Sequence, residues 1–184
     1  PTVVATATGF LVSWTDGSGQ DGSGSGVQAR FFDAAGAPLT DEFTVNENRS
    51  STQSEPAVTV LDDGRIVIAW QTQQAPGGSG ADVSGQIFAP TGERIDGEFR
   101  INTEISSTQN LVDVEALPGN NFVAVWTSTT SGSAGDGSGN GIFQQIFGEP
   151  ADFAADTVDT ILGVTEAVTL NETNVNAGPL RVDP

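Results

Sequence analysis

One short pattern, an apolar strand that ends in tryptophan, occurs three times in this chain of 184 residues. The copies lie at residues 9–14, 64–70 and 121–126, and they contain the three tryptophans of the sequence. Successive tryptophans are 56 residues apart in both intervals. A repeat of this length indicates that each copy is one supersecondary unit, which buries its apolar surface by stacking on its neighbours.

The remaining elements of the unit repeat at the same offset. The matched segments of the first two copies are strands 27–32 and 83–88, strands 42–46 and 98–102, and linkers 50–53 and 106–109. In the third copy, strands are predicted near 112–117, 122–126 and 142–147, and the match degrades after Phe147. We therefore predict one unit of three β-repeats over 1–160, divided as 1–55, 56–110 and 111–160. A non-repeat strand or linker is expected over 161–184.

The tryptophan strand is apolar on both of its faces. In the second copy, Ile66, Ile68 and Trp70 point to one side, whereas Val67 and Ala69 point to the other. A strand of this kind is covered on both sides. The predicted fold is all-β, with tandem four-stranded antiparallel repeats that resemble β-propeller blades. Because a closed propeller needs about four blades or more, we expect completion by flanking repeats or by self-association. The alternative is an open stack or sandwich of β-repeats.

The composition excludes several classes of function. The net charge is −18, from 24 acidic and 6 basic residues, which argues against a surface that binds nucleic acid or anionic lipid. The sequence has no cysteine and no histidine, so disulfides and catalysis by those side chains are ruled out. No segment approaches 18 apolar residues, which predicts no membrane insertion. Since the chain begins at Pro1 without methionine or signal peptide, we expect it to be a piece of a longer protein.

Gly-rich loops between the second and third strands are the main candidates for a metal site. The pattern Asp-Gly-Ser-Gly-x-Gly begins at Asp21 and at Asp136, and the second copy carries Asp82 at a shifted position. Together with Asp16, these carboxylates and the loop carbonyls could bind Ca²⁺, because glycines let the backbone curl round a hard cation. The other interpretation is a polar hairpin loop without metal, and the spacing is not that of an EF-hand.

Two further interpretations concern carboxylates and aromatic side chains. The pairs Asp62/Asp63 and Asp41/Glu42 could serve glycoside hydrolysis, which needs two opposed carboxylates. Asp63 precedes a glycine before a strand, however, which is ordinary turn chemistry. The tryptophan and phenylalanine stripe could form a sugar platform, but its apolar alternation favours a place in the core. No catalytic residue is therefore assigned.

The repeat pattern is similar to one found in a known group of proteins. Its elements are Asp-Gly-x-Ile-Val-x-x-Trp, a Gly-rich loop, an apolar–Gln-x-Phe strand, glycine, and Glu-Phe-x-x-Asn. They are carried here by Asp63, Gly64, Ile66, Val67, Trp70, Gln86, Phe88, Gly92, Glu98, Phe99 and Asn102. The chain resembles the repeats of very large secreted bacterial proteins that often carry RTX-type calcium-binding segments, and residues 77–82 fit one turn of the RTX pattern. Residues 168–179 look like the lead-in to a cadherin-like module.

This resemblance implies an extracellular or bacterial cell-surface location, export by a one-step secretion system, and a non-catalytic structural or adhesive role. Ca²⁺ is the implied cofactor. A carbohydrate- or ligand-binding propeller, with possible glycan partners, is the alternative, and a carboxylate-based hydrolase is a more distant one.

Overall fold

A computed structural model describes residues 1–19, 22, 24–73, 80–105, 107–129, 140–148 and 168–170. Throughout these residues the regular structure is β-strand, and the strands form three antiparallel sheets of four strands each. The prediction of an all-β chain with four-stranded antiparallel sheets is confirmed. Each sheet is open, with two edge strands.

Sheets 1 and 2 are simple meanders in which each strand pairs with the next along the chain. Sheet 1 consists of β1 (Thr2–Thr6), β2 (Gly9–Asp16), β3 (Gly26–Asp33) and β4 (Phe43–Thr44). Sheet 2 consists of β5 (Gln53–Val60), β6 (Ile66–Thr72), β7 (Asp82–Phe88) and β8 (Arg94–Arg100). The second strand of each sheet is the tryptophan strand, so it pairs on both edges.

Sheet 3 has the same order but takes its last strand from the C-terminal tail. It consists of β9 (Gln109–Leu117), β10 (Asn121–Ser128), β11 (Gly141–Phe147) and β12 (Val168–Leu170). β12 pairs with β11, with Leu170 opposite Ile142. The fourth strand of this sheet thus comes from the region that the sequence assigns to a non-repeat strand. Residues 151–153, which by sequence could stand in for the fourth strand after the match degrades, lie outside the described residues.

The three sheets stack face to face, with sheet 2 in the middle. We call the side of each sheet that carries Trp14, Trp70 or Trp126 its tryptophan face, and the other side its back face. One core joins the tryptophan face of sheet 2 to the back face of sheet 1: Leu11, Val27, Ala29, Phe31, Val45, Ile66, Ile68, Trp70 and Phe88. A second core joins the tryptophan face of sheet 3 to the back face of sheet 2: Ala57, Ala69, Val83, Ile101, Val112, Val114, Ala124, Trp126 and Phe143.

Strand β6 shows why the tryptophan strand is apolar on both sides. All seven of its residues are buried, since each face of sheet 2 is covered by another sheet. Burial on both faces matches the double apolar pattern of its sequence.

Two features differ from the expected pattern. Strand β8 spans Arg94–Arg100, whereas the sequence predicts residues 98–102. The β7–β8 ladder shifts register between Gly85 and Ile87, and Asp96 adopts a φ of 55°. The Gln86 amide donates to the Ile95 carbonyl at 3.0 Å, which fixes the irregular segment. The strand therefore begins four residues before the predicted range and ends two residues before its end, with the Gln86 side chain bonded to the irregular segment.

Trp14 also differs from the expectation that the three tryptophans are equivalent core residues. Trp70 and Trp126 are 0% and 2% exposed, but Trp14 is only partly buried. The cause is its position, because the tryptophan face of sheet 1 is covered by no described element. The three tryptophans are therefore equivalent in register but not in environment.

Candidate functional site

A repeated hydrogen-bonded cluster, which we call the Asn–Gln cluster, lies where the third strand of a sheet begins. In sheet 1 the Asn46 side chain accepts a hydrogen bond from the Val27 backbone at 2.9 Å. Its amide donates to the Asn48 carbonyl at 2.9 Å and to the Gln53 side chain at 3.2 Å. The Gln53 backbone donates to the Ser25 carbonyl at 2.7 Å. These bonds tie the linker after sheet 1 to the start of β3.

The same cluster recurs 56 residues later. Asn102 accepts from the Val83 backbone at 2.7 Å and donates to the Glu104 carbonyl at 2.7 Å. The Gln109 backbone donates to the Ala81 carbonyl at 2.7 Å, and its side chain accepts from Trp126 Nε1 at 3.1 Å. The asparagine of the Glu-Phe-x-x-Asn motif and the glutamine of the linker are therefore buried structural residues, because each of their bonds organises the chain itself.

Close backbone approach explains one glycine of each of the first two Gly-rich loops. A Cβ on Gly24 would lie 2.5 Å from the Ser51 carbonyl oxygen. At the equivalent Gly80 a Cβ would lie 2.8 Å from the Ser107 carbonyl oxygen and 2.8 Å from the Thr108 hydroxyl. The linker between repeats thus packs directly on the loop glycine, and any larger side chain would push it away.

Gly80→Ala is accordingly expected to lower the free energy of unfolding by about 1–3 kcal/mol, the usual cost of overpacking. Gly97→Ala is the matched control, since a Cβ there meets only the Glu47 carboxylate at 3.6 Å. Urea denaturation of both variants measures the difference. Equal stability of the two variants would contradict a packing role for the loop glycine.

Asp82 is a buried carboxylate at the first position of β7. Its side chain is 2% exposed. Oδ1 accepts from Asn102 Nδ2 at 2.8 Å, and Oδ2 lies 3.6 Å from Arg100 Nη1. Oδ2 has no hydrogen-bond partner. The equivalent positions in the other sheets are Gly26 and Gly141, so this carboxylate belongs to the second repeat alone.

A cavity of about 140 Å³ lies beside this carboxylate, between sheet 2 and the chain that follows β4. It is lined by Asn48, Thr72, Asp82, Ser84, Glu98, Phe99 and Arg100. Most of the polar atoms already bond to each other: the Thr72 hydroxyl bonds to the Ser84 hydroxyl at 3.0 Å, and Glu98 accepts from the Glu47 and Asn48 backbones. The cavity has a mixed lining, with the Phe99 ring beside the polar groups, and its one guanidinium is 44% exposed.

The structure places only part of the predicted metal site. Asp16 and Asp82 are described, whereas Asp21 and Asp136 lie outside the described residues. Asp16 ends β2 and accepts from the Ser18 backbone at 3.2 Å and from its hydroxyl at 2.5 Å. Among the described residues no group of three or more histidine, cysteine, aspartate or glutamate side chains could hold a metal ion. A metal at Asp82 would have to displace Arg100.

The carboxylate pairs considered for hydrolysis have structural surroundings. Asp62 Oδ2 accepts from the Gly119 backbone at 3.0 Å, and the Asp63 backbone donates to Asn120 Oδ1 at 2.8 Å. The Asp63 carboxylate also pairs with Arg65 at 2.6 Å. These contacts join the β5–β6 turn to the β9–β10 turn of the next sheet. Asp41 and Glu42 are exposed in the segment before β4.

One carboxylate has a shifted titration. The Thr91 hydroxyl donates to Glu93 in the β7–β8 turn, and this bond, helped by the backbone N–H of Glu93 itself, holds the pKa of Glu93 below its ordinary value. Because Glu93 is fully exposed in a turn, we assign the shift to local turn structure.

The sequence contains the residues of the Asn–Gln cluster at repeated positions, but the repeat pattern alone does not indicate that they bond to each other. Asn46 and Asn102, and Gln53 and Gln109, recur at the repeat offset, but polar residues in a linker are normally read as solvent-exposed. Comparison of the chain with protein-family models, with curated proteins and with solved structures finds no match. Along the described ranges, no helix is long and apolar enough to cross a membrane.

Proposed function

We propose that this chain is a non-catalytic structural or adhesive repeat module of a secreted or cell-surface bacterial protein. The observation that supports it most is the use of the repeated polar residues. Asn102, Gln109 and their counterparts Asn46 and Gln53 hold linkers on loops. Asp62, which occurs in the second repeat alone, also has a structural contact, with the next sheet. Residues that repeat for stacking serve a scaffold, whereas a catalytic site would break the repeat.

We further infer that the three sheets are blades of a β-propeller. Each sheet has four antiparallel strands in sequential order, and the first strands of neighbouring sheets contact each other, β1 with β5 and β5 with β9. In a propeller the sheets pack face to face around a common centre. An open stack, which is the alternative, has the same local contacts. Small-angle scattering distinguishes the two arrangements, because the longest dimension of a stack increases with each added repeat.

The test of the module proposal combines adhesion with turnover. The chain is displayed on a non-adhesive bacterium, and retention on cells and on glycan-coated surfaces is measured under flow. Display is expected to increase retention, and the purified chain is expected to show no activity in a hydrolase screen. A hydrolase activity that the Asp62→Asn variant loses would contradict the proposal. Retention that display leaves unchanged, together with no contribution to assembly of the parent protein, would contradict it as well.

Calcium is part of this proposal, through Asp16, Asp21, Asp82 and Asp136. A ligand at 100 times its Kd adds about 2.7 kcal/mol to stability, and each kcal/mol raises Tm by about 2–4 °C in a domain of this size. Saturating Ca²⁺ is therefore expected to raise Tm by roughly 5–10 °C. The double variant Asp21→Asn, Asp136→Asn is expected to lose most of the rise, and Asp41→Asn, outside the loops, to keep it. An unchanged Tm on chelation would end the calcium proposal.

Carbohydrate binding is a second candidate, and the cavity beside Asp82, with polar groups and one aromatic ring in its lining, favours it. Hydroxyl, amide, carboxylate and guanidinium groups line this cavity, and such groups form hydrogen bonds with polyhydroxy ligands. A glycan array tests the idea, and Arg100→Ala is expected to remove any hit that uses the cavity. An array without hits would dismiss this candidate and leave the scaffold role untouched.

A further inference from the structure

The two contacts between sheets within the chain share one polarity. Sheet 2 places its tryptophan face, with Trp70, on the back face of sheet 1, where Leu11 lies. Sheet 3 places its tryptophan face, with Trp126, on the back face of sheet 2, where Ala69 lies. In each case the later sheet contributes the tryptophan face. The contact is therefore heterologous, since its two halves are different surfaces.

Among the described residues, nothing covers one half of this contact at each end of the stack. On the tryptophan face of sheet 1, Val3 is 64% exposed beside Trp14, and Phe10 stacks on Phe32 at 5.2 Å. On the back face of sheet 3, Ile142 is 41% exposed at the register position that the fully buried Val83 occupies in sheet 2. Large apolar side chains exposed at positions that are covered inside the chain favour an interaction site. The two free faces are the same two halves that meet inside the chain.

We propose that a second copy of this chain fills both faces, with the tryptophan face of sheet 1 in one copy covering the back face of sheet 3 in the other. The occupant is chosen by continuity, because each free face has the strand register of a face that is covered within the chain. The proposed contact between two copies depends only on this continuity. Its closure into a ring rests on the propeller arrangement proposed above.

The hydrogen bond between sheets 2 and 3 has a matching donor and acceptor on the two free faces. The Ala116 backbone of sheet 3 donates to the Thr59 hydroxyl of sheet 2 at 3.1 Å. Ala5 holds the register position of Ala116, since each pairs with the first phenylalanine of its tryptophan strand. Glu115 likewise holds the position of Thr59. A docked copy would therefore place the Glu115 carboxylate where it can accept the Ala5 backbone N–H.

The size of the faces favours closure of a dimer over a single contact. A face of four strands about 4.8 Å apart and about seven residues long has a projected area on the order of 400 Å². A stable interface covers about 800 Å² on each partner. A dimer in which each copy uses both of its free faces reaches that area, and its six sheets fall within the four to eight blades of propellers.

The charge on the back face of sheet 3 determines how strongly two copies are expected to associate. Asp113 and Glu115 are exposed there, at the positions that Ala57 and Thr59 occupy on the covered back face of sheet 2. Carboxylates weaken a contact that buries them, and each chain already carries a net charge of −18. The double variant Asp113→Ala, Glu115→Thr restores the inner pattern and is expected to tighten the dimer at least tenfold. Screening by salt is expected to favour the wild-type dimer as well.

The test is the mass of the purified chain by light scattering over a range of concentrations, at low and at high salt. The expected species at high concentration has twice the 18.9 kDa of one chain. Val3→Glu, on one free face, and Ile142→Glu, on the other, are each expected to abolish the closed dimer while the circular dichroism of the monomer is unchanged. Leu39→Glu is the matched control, because Leu39 is 50% exposed but lies in the β3–β4 connection.

Mixing the two face variants distinguishes this contact from all others. Each variant alone keeps one intact half, so an equimolar mixture can form one fully intact contact per pair, and it is expected to associate more tightly than either variant alone but more weakly than the closed wild-type dimer. A dimer that Val3→Glu removes and Ile142→Glu leaves intact would show two tryptophan faces meeting, and would overturn the proposal. A monomer under all conditions, also for the Asp113→Ala, Glu115→Thr variant, would overturn it without affecting the adhesion test.

Discussion

Replacing Trp70 by alanine is expected to lower the free energy of unfolding by about 3–5 kcal/mol, the range for a buried aromatic side chain. Trp70 is 0% exposed and lies in the core that joins sheet 2 to sheet 1, among Leu11, Phe31 and Phe88. Its removal opens a cavity in the core shared by the two sheets, so the loss acts on the stacking of the repeats and not on one strand. Urea denaturation followed by circular dichroism measures the change.

Trp14→Ala is the matched control for this prediction, since it removes the same side chain at the same register position of sheet 1. Because Trp14 is partly exposed on a free face, its loss is expected to cost about 1 kcal/mol in the monomer. The measurement belongs at concentrations where the chain is monomeric. Equal losses at Trp14 and Trp70 would show that the repeats contribute independently, and would contradict stability by stacking.

The indole nitrogens provide a second comparison within the same set. Trp126 Nε1 donates to Gln109 at 3.1 Å, whereas the buried Trp70 Nε1 has no hydrogen-bond partner. A lost hydrogen bond that leaves its buried acceptor unpaired costs about 1–3 kcal/mol. Trp126→Phe is therefore expected to destabilise more than Trp70→Phe, although the two tryptophans occupy equivalent positions.

The sequence predicted the sheets well because the period of the repeat and the alternation along each strand are local signals. Burial on both faces of β6 follows directly from apolar residues at every position of Ile66–Ala69. The sequence could not show that Trp14 is exposed, because exposure depends on which neighbour covers a face. It also could not identify β12 as the fourth strand of sheet 3, because a three-residue strand far from its partner has no periodic pattern.

The candidate sites were less predictable than the fold for a related reason. Acidic residues next to glycine suggest either a cation site or a turn, and only the partners decide between them. Asp62 contacts the Gly119 backbone of the next sheet, and Asp82 contacts Asn102 and Arg100. These partners lie 18 or more residues away along the chain, beyond the reach of a motif. In the sequence the repeated asparagine is only one member of a motif, yet its bonds define the cluster that joins linker to strand.

The second large effect is expected at this cluster, where Asn102→Ala should destabilise the chain by about 3–5 kcal/mol, as for a buried charge that loses its partner. Asn102 satisfies the Val83 backbone N–H and donates to Asp82 Oδ1, so its loss leaves a buried donor unpaired and the carboxylate with only Arg100, at 3.6 Å.

Asn46→Ala is the matched control for Asn102→Ala. Asn46 accepts from the equivalent backbone N–H 56 residues earlier, but Gly26 stands where the second repeat has the Asp82 carboxylate. Asn46→Ala is expected to lower the free energy of unfolding by about 1–3 kcal/mol. The excess at Asn102 is the contribution of Asp82, and adding Asp82→Gly to Asn102→Ala should remove it. Chemical denaturation of the wild type, Asn102→Ala, Asp82→Gly and the double variant forms a double-mutant cycle. If the two asparagine variants were equally stable, the buried carboxylate would have no energetic link to the cluster, and its burial would need another explanation.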